Sequence, residues 1–401
     1  MKNSKTLMSW NPRSDKILED PASGYTTLLE NCPVHYSKDF DPPFFTISRF
    51  TDVDRVLRDT KTFSSEHGQG PRFSEPQGML CDPPKHTHMR RIVQKAFTPR
   101  AMHNLTPQIN ATIESLLKTI SNGSAQFDLH DDYAFPLPVL IIAGMLGIPT
   151  KDLDQFKKWS DMQVAAMGSK DPDLFAGEQK DFFSYMYDHW MMRKSEIEMK
   201  KNPPKDLLTV IAEAKNPDGS PISESDALSM LTQLLVGGNE TTTSLITNSI
   251  WRLLQDRTQW KQLIDDPTLA PNAIEESLRY DPPVLGLYRN TTKTVTLHGI
   301  KIPKGSKVFI NYAAANRDPE AFDDPNRFNI KRKPKRHMSF GVGVHFCLGA
   351  PMARLESELA LTALAENLPD LQLLGDGKRI TPFFLWGRSK LPLSFRNRQE
   401  K

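Results

Sequence analysis

The sequence predicts a mainly α-helical fold with a minor β component, and three observations carry that assignment. Apolar residues recur at helical spacing through most of the 401 residues, whereas strand-like alternation is confined to FFTISRF (44–50) and TKTVTLHGIKIPKGSKVFINY (292–312). Prolines cluster where elements should end, in DPP at 82 and 281, NPP at 202 and LP at 368. No internal repeat, low-complexity tract or linker divides the chain, so residues 1–401 read as a single domain able to bury a sizeable core.

Composition narrows the function. A net charge of +3 gives no whole-protein argument for nucleic acid. Cys32, Cys81 and Cys347 lie far apart, which offers neither a disulfide framework nor a CxxC metal spacing and points to a reducing, cytoplasmic compartment. The polar start MKNSKTLMSWNPRSDK lacks the apolar core of a signal peptide. The most apolar stretch, FPLPVLIIAGMLGIP (135–149), is bounded by prolines and shorter than the ~20 residues that span a bilayer. It reads as a buried helix, and the chain as soluble and not membrane-bound.

Taken in order, FFTISRF is a strand, DPPKHTHMRRIVQKAFTPR (82–100) opens a helix after its prolines, and 135–149 is the buried helix. SESDALSMLTQLLVGGNETTTSLITNSIWRLLQD (223–256) is a long helix whose Ser223 and Asp226 suit a capping box. Its middle contradicts it. Gly237 and Gly238 each cost about 1 kcal/mol relative to alanine, and Asn239, Glu240 and three threonines follow between two apolar halves. A solvent-exposed stripe does not account for consecutive polar residues that cover every face. Rules broken at one point of a consistent element mark a functional site. Glycines let a group approach the backbone, and a buried acid beside an alcohol can relay protons. Further on, the alternation at 292–312 is broken by HG and KG turns, as in a β-hairpin.

The segment FGVGVHFCLGAPMARLE (340–356) sets Cys347 among three glycines ahead of a helix. A phosphate loop is excluded by spacing, because Phe346 stands where the third glycine of GxGxxG belongs and there is no Walker lysine. The dipole of the following helix favours a thiolate at Cys347.

Together these motifs resemble the cytochrome P450 family, the haem-thiolate monooxygenases, in its soluble bacterial form. The cysteine segment matches Phe-Gly-x-Gly-x-His-x-Cys-x-Gly. GGNET (237–241) matches the glycine–acid–threonine segment of the family's long central helix, Glu276-Ser-Leu-Arg279 its Glu-x-x-Arg, Pro325-Asn-Arg327-Phe328 its Pro-x-Arg-Phe, and 82–100 the helix beside the haem. The resemblance implies a helical prism enclosing haem b. It makes Cys347 the axial iron ligand, with Phe340 shielding the sulfur and Gly349 closing the loop. It assigns His86, Arg90, Arg289 and His337 to the haem propionates. It sets Gly237 beside the oxygen-binding groove and gives oxygen activation and proton delivery to Glu240 and Thr241. Asn239 stands where histidine is frequent. His345 is expected to shape the loop, and Glu276, Arg279 and Arg327 to form a buried structural ion network.

Four segments are expected to line the pocket: 66–80, 171–186, 284–287 and 382–387. The last two are apolar and aromatic, which suits a hydrophobic small molecule. The basic run KRKPKR (331–336), with Lys85, Arg91 and Lys95, would steer an acidic electron carrier. No flavin or reductase domain is fused, so electrons from NAD(P)H are expected through a separate ferredoxin or flavodoxin and its reductase. The competing readings are a peroxide-driven peroxygenase, which the acid–alcohol pair argues against, and a haem sensor or electron carrier, which would not require that pair. A zinc site on His345 and Cys347 lacks a second ligand pair of suitable spacing.

Overall fold

A 32-residue helix, Glu224–Gln255, runs through the centre of the computed structural model, which describes residues 10–396 apart from 76, 150, 152 and 170. The Ser223 hydroxyl caps it by accepting from the Asp226 N–H at 3.1 Å, as the sequence suggested. The glycine pair does not break it. From Thr242 to Leu254 every residue except Arg252 is buried, whereas Gly237, in the polar run, is exposed.

In chain order the helices that frame the site are α1 (Phe50–Arg58), α2 (Lys85–Val93), α3 (Pro99–Asn122), α4 (Pro136–Leu146), α5 (Leu153–Gly168), α6 (Ala176–Glu198), α7 (the central Glu224–Gln255), α8 (Ala270–Tyr280) and α9 (Ala350–Asn367). The apolar stretch at 135–149 forms α4, buried almost throughout and ended by Gly147 in the left-handed conformation. Its Ile141, Ile142 and Leu146 join Leu234, Leu235 and Leu245 of α7 and Met352 and Leu361 of α9 in one core. Burial of this kind contributes about 25 cal/mol per Å² of apolar surface removed from water. It therefore holds α7 in place across its polar middle. Among the described residues, no helix is long and apolar enough to cross a membrane.

The β component is a five-stranded sheet in the order β1 (Val34–Ser37), β2 (Phe44–Ile47), β5 (Lys307–Asn311), β4 (Gly286–Thr291), β3 (Phe63–Ser64). FFTISRF is strand only to Ile47. All four β2 residues are buried because β2 lies inside the sheet, antiparallel to β1 and parallel to β5. Phe50 then starts α1, its N–H bonded to Asp318 Oδ2 at 2.8 Å. The expected hairpin is present as Val295–Leu297 paired with Ile300–Ile302.

Candidate active site

The cysteine loop is built by glycines in the left-handed conformation, Gly341 at φ +64° and Gly343 at +76°. A Cβ on Gly343 would also stand 3.2 Å from the Leu57 carbonyl of α1, so backbone strain and space both select glycine there. The loop closes when the Cys347 N–H bonds the Phe340 carbonyl at 2.9 Å. Burial pushes the Cys347 thiol up, while backbone N–H groups of Gly349 and Ala350 and the guanidinium groups of Arg90 and Arg354 pull it toward thiolate. A Cβ on Gly349 would meet nothing within 4 Å.

At one edge of this loop, the His86 and His345 rings lie 4.2 Å apart. Among the described residues, His86 Nδ1 and Arg289 Nε are buried without a hydrogen-bond partner, and Arg289 is 2% exposed. Burial first, then the neighbouring His345 and Arg90, depress His86 to about 4. Arg90 lies within electrostatic reach of both His86 and Cys347. The acid of this cluster is Asp82, which accepts from Ser64 Oγ at 2.5 Å and the Ser65 N–H at 2.9 Å. Basic groups buried with unused donors are suited to an anion. The donor set fits a haem: a cysteine sulfur for iron and a basic edge for two carboxylates. His345, read from sequence as a loop-shaping residue, belongs to that edge; its Nε2 also lies 3.3 Å from Ser65 Oγ.

His337 lies elsewhere. Its Nε2 meets Glu275 Oε2 at 3.3 Å, and Arg354 Nε donates to Glu275 Oε1 at 2.6 Å. Against the upward push of burial, these two partners hold the Glu275 carboxyl well below its usual range. The trio, with Arg58, Arg336 and Phe340, lines a depression of about 280 Å³ on the Cys347 loop. A larger cleft of about 430 Å³, lined by Tyr25, Trp251, Arg252 and Asp281 among others, takes in Leu285 and Trp386 of the expected pocket segments but none of the residues assigned to haem or oxygen.

On α7, the Glu240 carboxyl is 7% exposed and accepts from Ser160 Oγ of α5 at 3.0 Å. Ser160 Oγ also accepts from Asn239 Nδ2 at 3.2 Å. Burial lifts Glu240 to about 7, against the downward pull of the Ser160 hydroxyl. Thr241 is half-buried, and its hydroxyl donates to the Gly237 carbonyl at 2.9 Å. A Cβ at Gly237 would meet nothing within 4 Å. Gly237 and Thr241, one turn apart, thus leave the middle of α7 open on one side while Glu240 is covered by α5.

The expected ion network needs a correction. Glu276 pairs with Arg279 at 2.7 Å, and its other cation is Arg332 at 3.1 Å. Arg327 is exposed and contributes only its carbonyl, bonded by both arginines. Arg332 is therefore part of the scaffold, and Arg336 pairs with Asp54 at 3.1 Å. Of the four pocket segments, 284–287 and 382–387 are joined: Leu285 N–H bonds Phe384 O, and Val284 bridges Leu385. The second packs Gly387 on Ser244 of α7, one turn beyond Glu240. Sequence reasoning missed Ser160, Glu275 and Arg354, and assigned Arg332 to the basic run that would steer a carrier rather than to Glu276. Only Arg354 carried a signal, as a cation in the first turns of the helix after Cys347.

A cysteine loop with backbone donors at its sulfur, a basic edge short of anions and an acid–alcohol pair on an opened helix define a haem-thiolate protein. The chain belongs to the cytochrome P450 family of monooxygenases, whose model, described as Cytochrome P450, matches residues 33–369. It is 38% identical over 344 residues to Cytochrome P450 107B1 of Saccharopolyspora erythraea, covering 82% of each chain. It is 37% identical to erythromycin C-12 hydroxylase of the same organism, covering 86% of this chain and 88% of that one. Among solved structures, CYP109E1 from Bacillus megaterium in complex with testosterone superposes with a TM-score of 0.85 at 32% identity, covering 96% of this chain and all of the other.

Proposed function

We propose that the protein inserts one atom of dioxygen into a largely hydrophobic small molecule, with electrons from a separate ferredoxin- or flavodoxin-type partner. The observation that carries the reading is the intact acid–alcohol pair: a buried Glu240 held near neutrality in its titration, next to a Thr241 hydroxyl on the open side of α7. A sensor or electron carrier has no use for either group. Cys347, with His86, Arg90, Arg289 and His345 at the carboxylates, would hold haem b, which would supply thiolate-assisted O–O cleavage.

The chain's own residues do the rest. Backbone N–H groups at Cys347 stabilise sulfur as the anion. Ser160 orients Glu240, whose carboxyl exchanges a proton near neutral pH, and the Thr241 hydroxyl, its hydrogen given to the Gly237 carbonyl, offers an acceptor oxygen one residue on. Val284, Phe383 and Phe384 supply apolar surface, consistent with the erythromycin and testosterone named for the relatives. The exposed Lys331, Lys333 and Lys335 just before the Cys347 loop suit an acidic carrier.

The test is turnover of a panel of steroids, macrolides and fatty acids with NADPH, ferredoxin and ferredoxin reductase under isotopically heavy dioxygen. One labelled oxygen per product molecule, lost in Cys347→Ser together with the red-shifted carbon monoxide band, is the expected result. Turnover with hydrogen peroxide alone and none with the electron-transfer chain would overturn the reading.

A further inference from the structure

Lys307 opens β5, is 1% exposed and, among the described residues, pairs with no carboxylate. Burying a cation without an anion is costly, and neighbouring Val308 and Phe309 show what a strand here ordinarily carries. The Lys307 ammonium instead donates to three carbonyls of one loop: His67 at 3.0 Å, Gly68 at 3.2 Å and Gly70 at 3.0 Å. In the charged form these use every N–H the group has. The rings of Phe73 and Tyr288 lie 4.9 and 5.9 Å from Nζ. A backbone bond from Tyr288 N–H to the Gln69 carbonyl at 2.9 Å ties the same turn to β4, beside Arg289.

The loop held in this way spans the site. At its start Ser65 meets His345 and Asp82. At its end the N–H groups of Gly78 and Met79 bond Asp226 at 2.8 Å and Gln233 at 3.1 Å on α7, Gln233 being one turn before Gly237. Between these anchors, residues 66–75 form no helix or strand. Arg72 donates to the Ser169 carbonyl at 2.7 Å, just beyond α5. The loop that carries the 67–70 turn thus runs from the basic edge to α7.

We propose that Lys307 is a positioning residue for substrate capture, fastening the 67–70 turn to the sheet so that the 66–75 loop forms a fixed wall of the chamber facing Gly237 and Thr241. The proposal rests on the reading of that chamber as the haem and substrate site. It makes Lys307 a determinant of how bulky ligands enter and leave, with no part in holding haem or moving protons.

The test uses full-length holoenzyme and the variants Lys307→Met and Lys307→Gln. Hydrogen exchange is measured at the Gly68 and Tyr288 amides, and binding of imidazole and of clotrimazole is followed by the shift of the Soret band. Exchange at both amides and the clotrimazole dissociation rate should rise about tenfold, equivalent to ~1.4 kcal/mol, while imidazole kinetics stay at the wild-type value. If Lys307→Met fails to fold, Lys307→Gln, which keeps two N–H donors, carries the same comparison. Unchanged exchange with unchanged clotrimazole kinetics, or equal acceleration of both ligands, overturns the proposal. The carbon monoxide band separates the two readings: its absence in the wild type defeats the haem-thiolate assignment, and its retention in the variants leaves only the loop in question.

Discussion

Replacing Ser160 with alanine takes away the hydroxyl that donates to Glu240 Oε2 at 3.0 Å and accepts from Asn239 Nδ2 at 3.2 Å. Burial sets the acid at about 7 even with that hydroxyl pulling it down. A hydrogen bond to a charged group contributes ~1.5–3 kcal/mol, and one pKa unit is about 1.4 kcal/mol, so Ser160→Ala should raise Glu240 by roughly one to two units. The assay is product formed per NADPH consumed, across a pH series, with hydrogen peroxide measured alongside. If the protonated carboxyl is the delivering form, wild-type coupling falls as pH rises through about 7. The fall should come one to two units higher in Ser160→Ala, by the same arithmetic. Glu240→Gln, which exchanges no proton, should show low coupling and no inflection, within the ~10²–10⁴-fold range of positioned proton transfer. Stability provides an independent check on sign. A carboxyl raised from 4.5 to about 7 on folding costs nothing below the unfolded value and destabilises the fold increasingly up to the folded one. Glu240→Gln should therefore gain roughly 3 kcal/mol relative to wild type between acidic and mildly alkaline pH. An inflection that stays put in Ser160→Ala, or survives in Glu240→Gln, would refute the assignment of proton delivery to this acid.

Three further outcomes are expected. His86→Ala and Arg289→Met should each speed haem transfer to apomyoglobin roughly 10- to 100-fold, the equivalent of one charge-assisted hydrogen bond. His337→Ala should leave that rate unchanged, because its partner is Glu275. Joint replacement of Lys331, Lys333 and Lys335 by Gln should slow partner-driven reduction and flatten its salt dependence, since exposed charges are screened over ~10 Å at 0.1 M. Arg332→Gln should lower the melting temperature and leave that salt dependence intact, as its guanidinium is committed to Glu276. Finally, Glu356 is fully buried with both carboxyl oxygens unpartnered, and burial lifts it to about 8. Its penalty is absent below the unfolded value and grows as pH rises to about 8, so Glu356→Gln should raise the urea midpoint at alkaline pH and barely change it under acidic conditions.

The elements legible in the sequence were those fixed by local pattern. The apolar run of α4, the cap at Ser223 and the HG turn between Val295–Leu297 and Ile300–Ile302 each follow from residues adjacent in the chain. The cysteine loop was legible for the same reason, as its glycines and its sulfur lie within ten residues. Partner choice was not. His337 and His345 are both histidines flanking one motif, and only tertiary packing sends the first to Glu275 and the second to His86. Arg327 and Arg332 compete for Glu276 across a five-residue turn, and the geometry of that turn, not residue type, gives the ion pair to Arg332. Ser160 carried no signal because a serine on a helix is ordinary. Its role exists only because α5 lies over Glu240.

The contradiction inside α7 resolves in the same terms. A run of consecutive polar residues covers all faces of a helix, yet the helix is intact, and the reason is that each side chain of the run is hydrogen-bonded, to the helix itself or to an element packed on it. Thr241 and Thr242 donate to the carbonyls of Gly237 and Gly238 one turn back, at 2.9 and 3.1 Å. Thr243 reaches the Ala134 carbonyl at 3.1 Å, and Asn239 and Glu240 share the hydroxyl of Ser160. Buried polar groups paired in this way do not pull the backbone out of helical geometry. The glycines serve the opposite end. They leave the carbonyls that receive those hydroxyls uncovered by side chains, and at Gly237 they leave open space next to Thr241. A helix of apolar residues would pack as well and present nothing to the chamber. This one keeps its hydrogen bonds while placing one hydroxyl and one titratable acid, adjacent in sequence, on two different faces: Thr241 toward the opening and Glu240 under α5, hydrogen-bonded to Ser160.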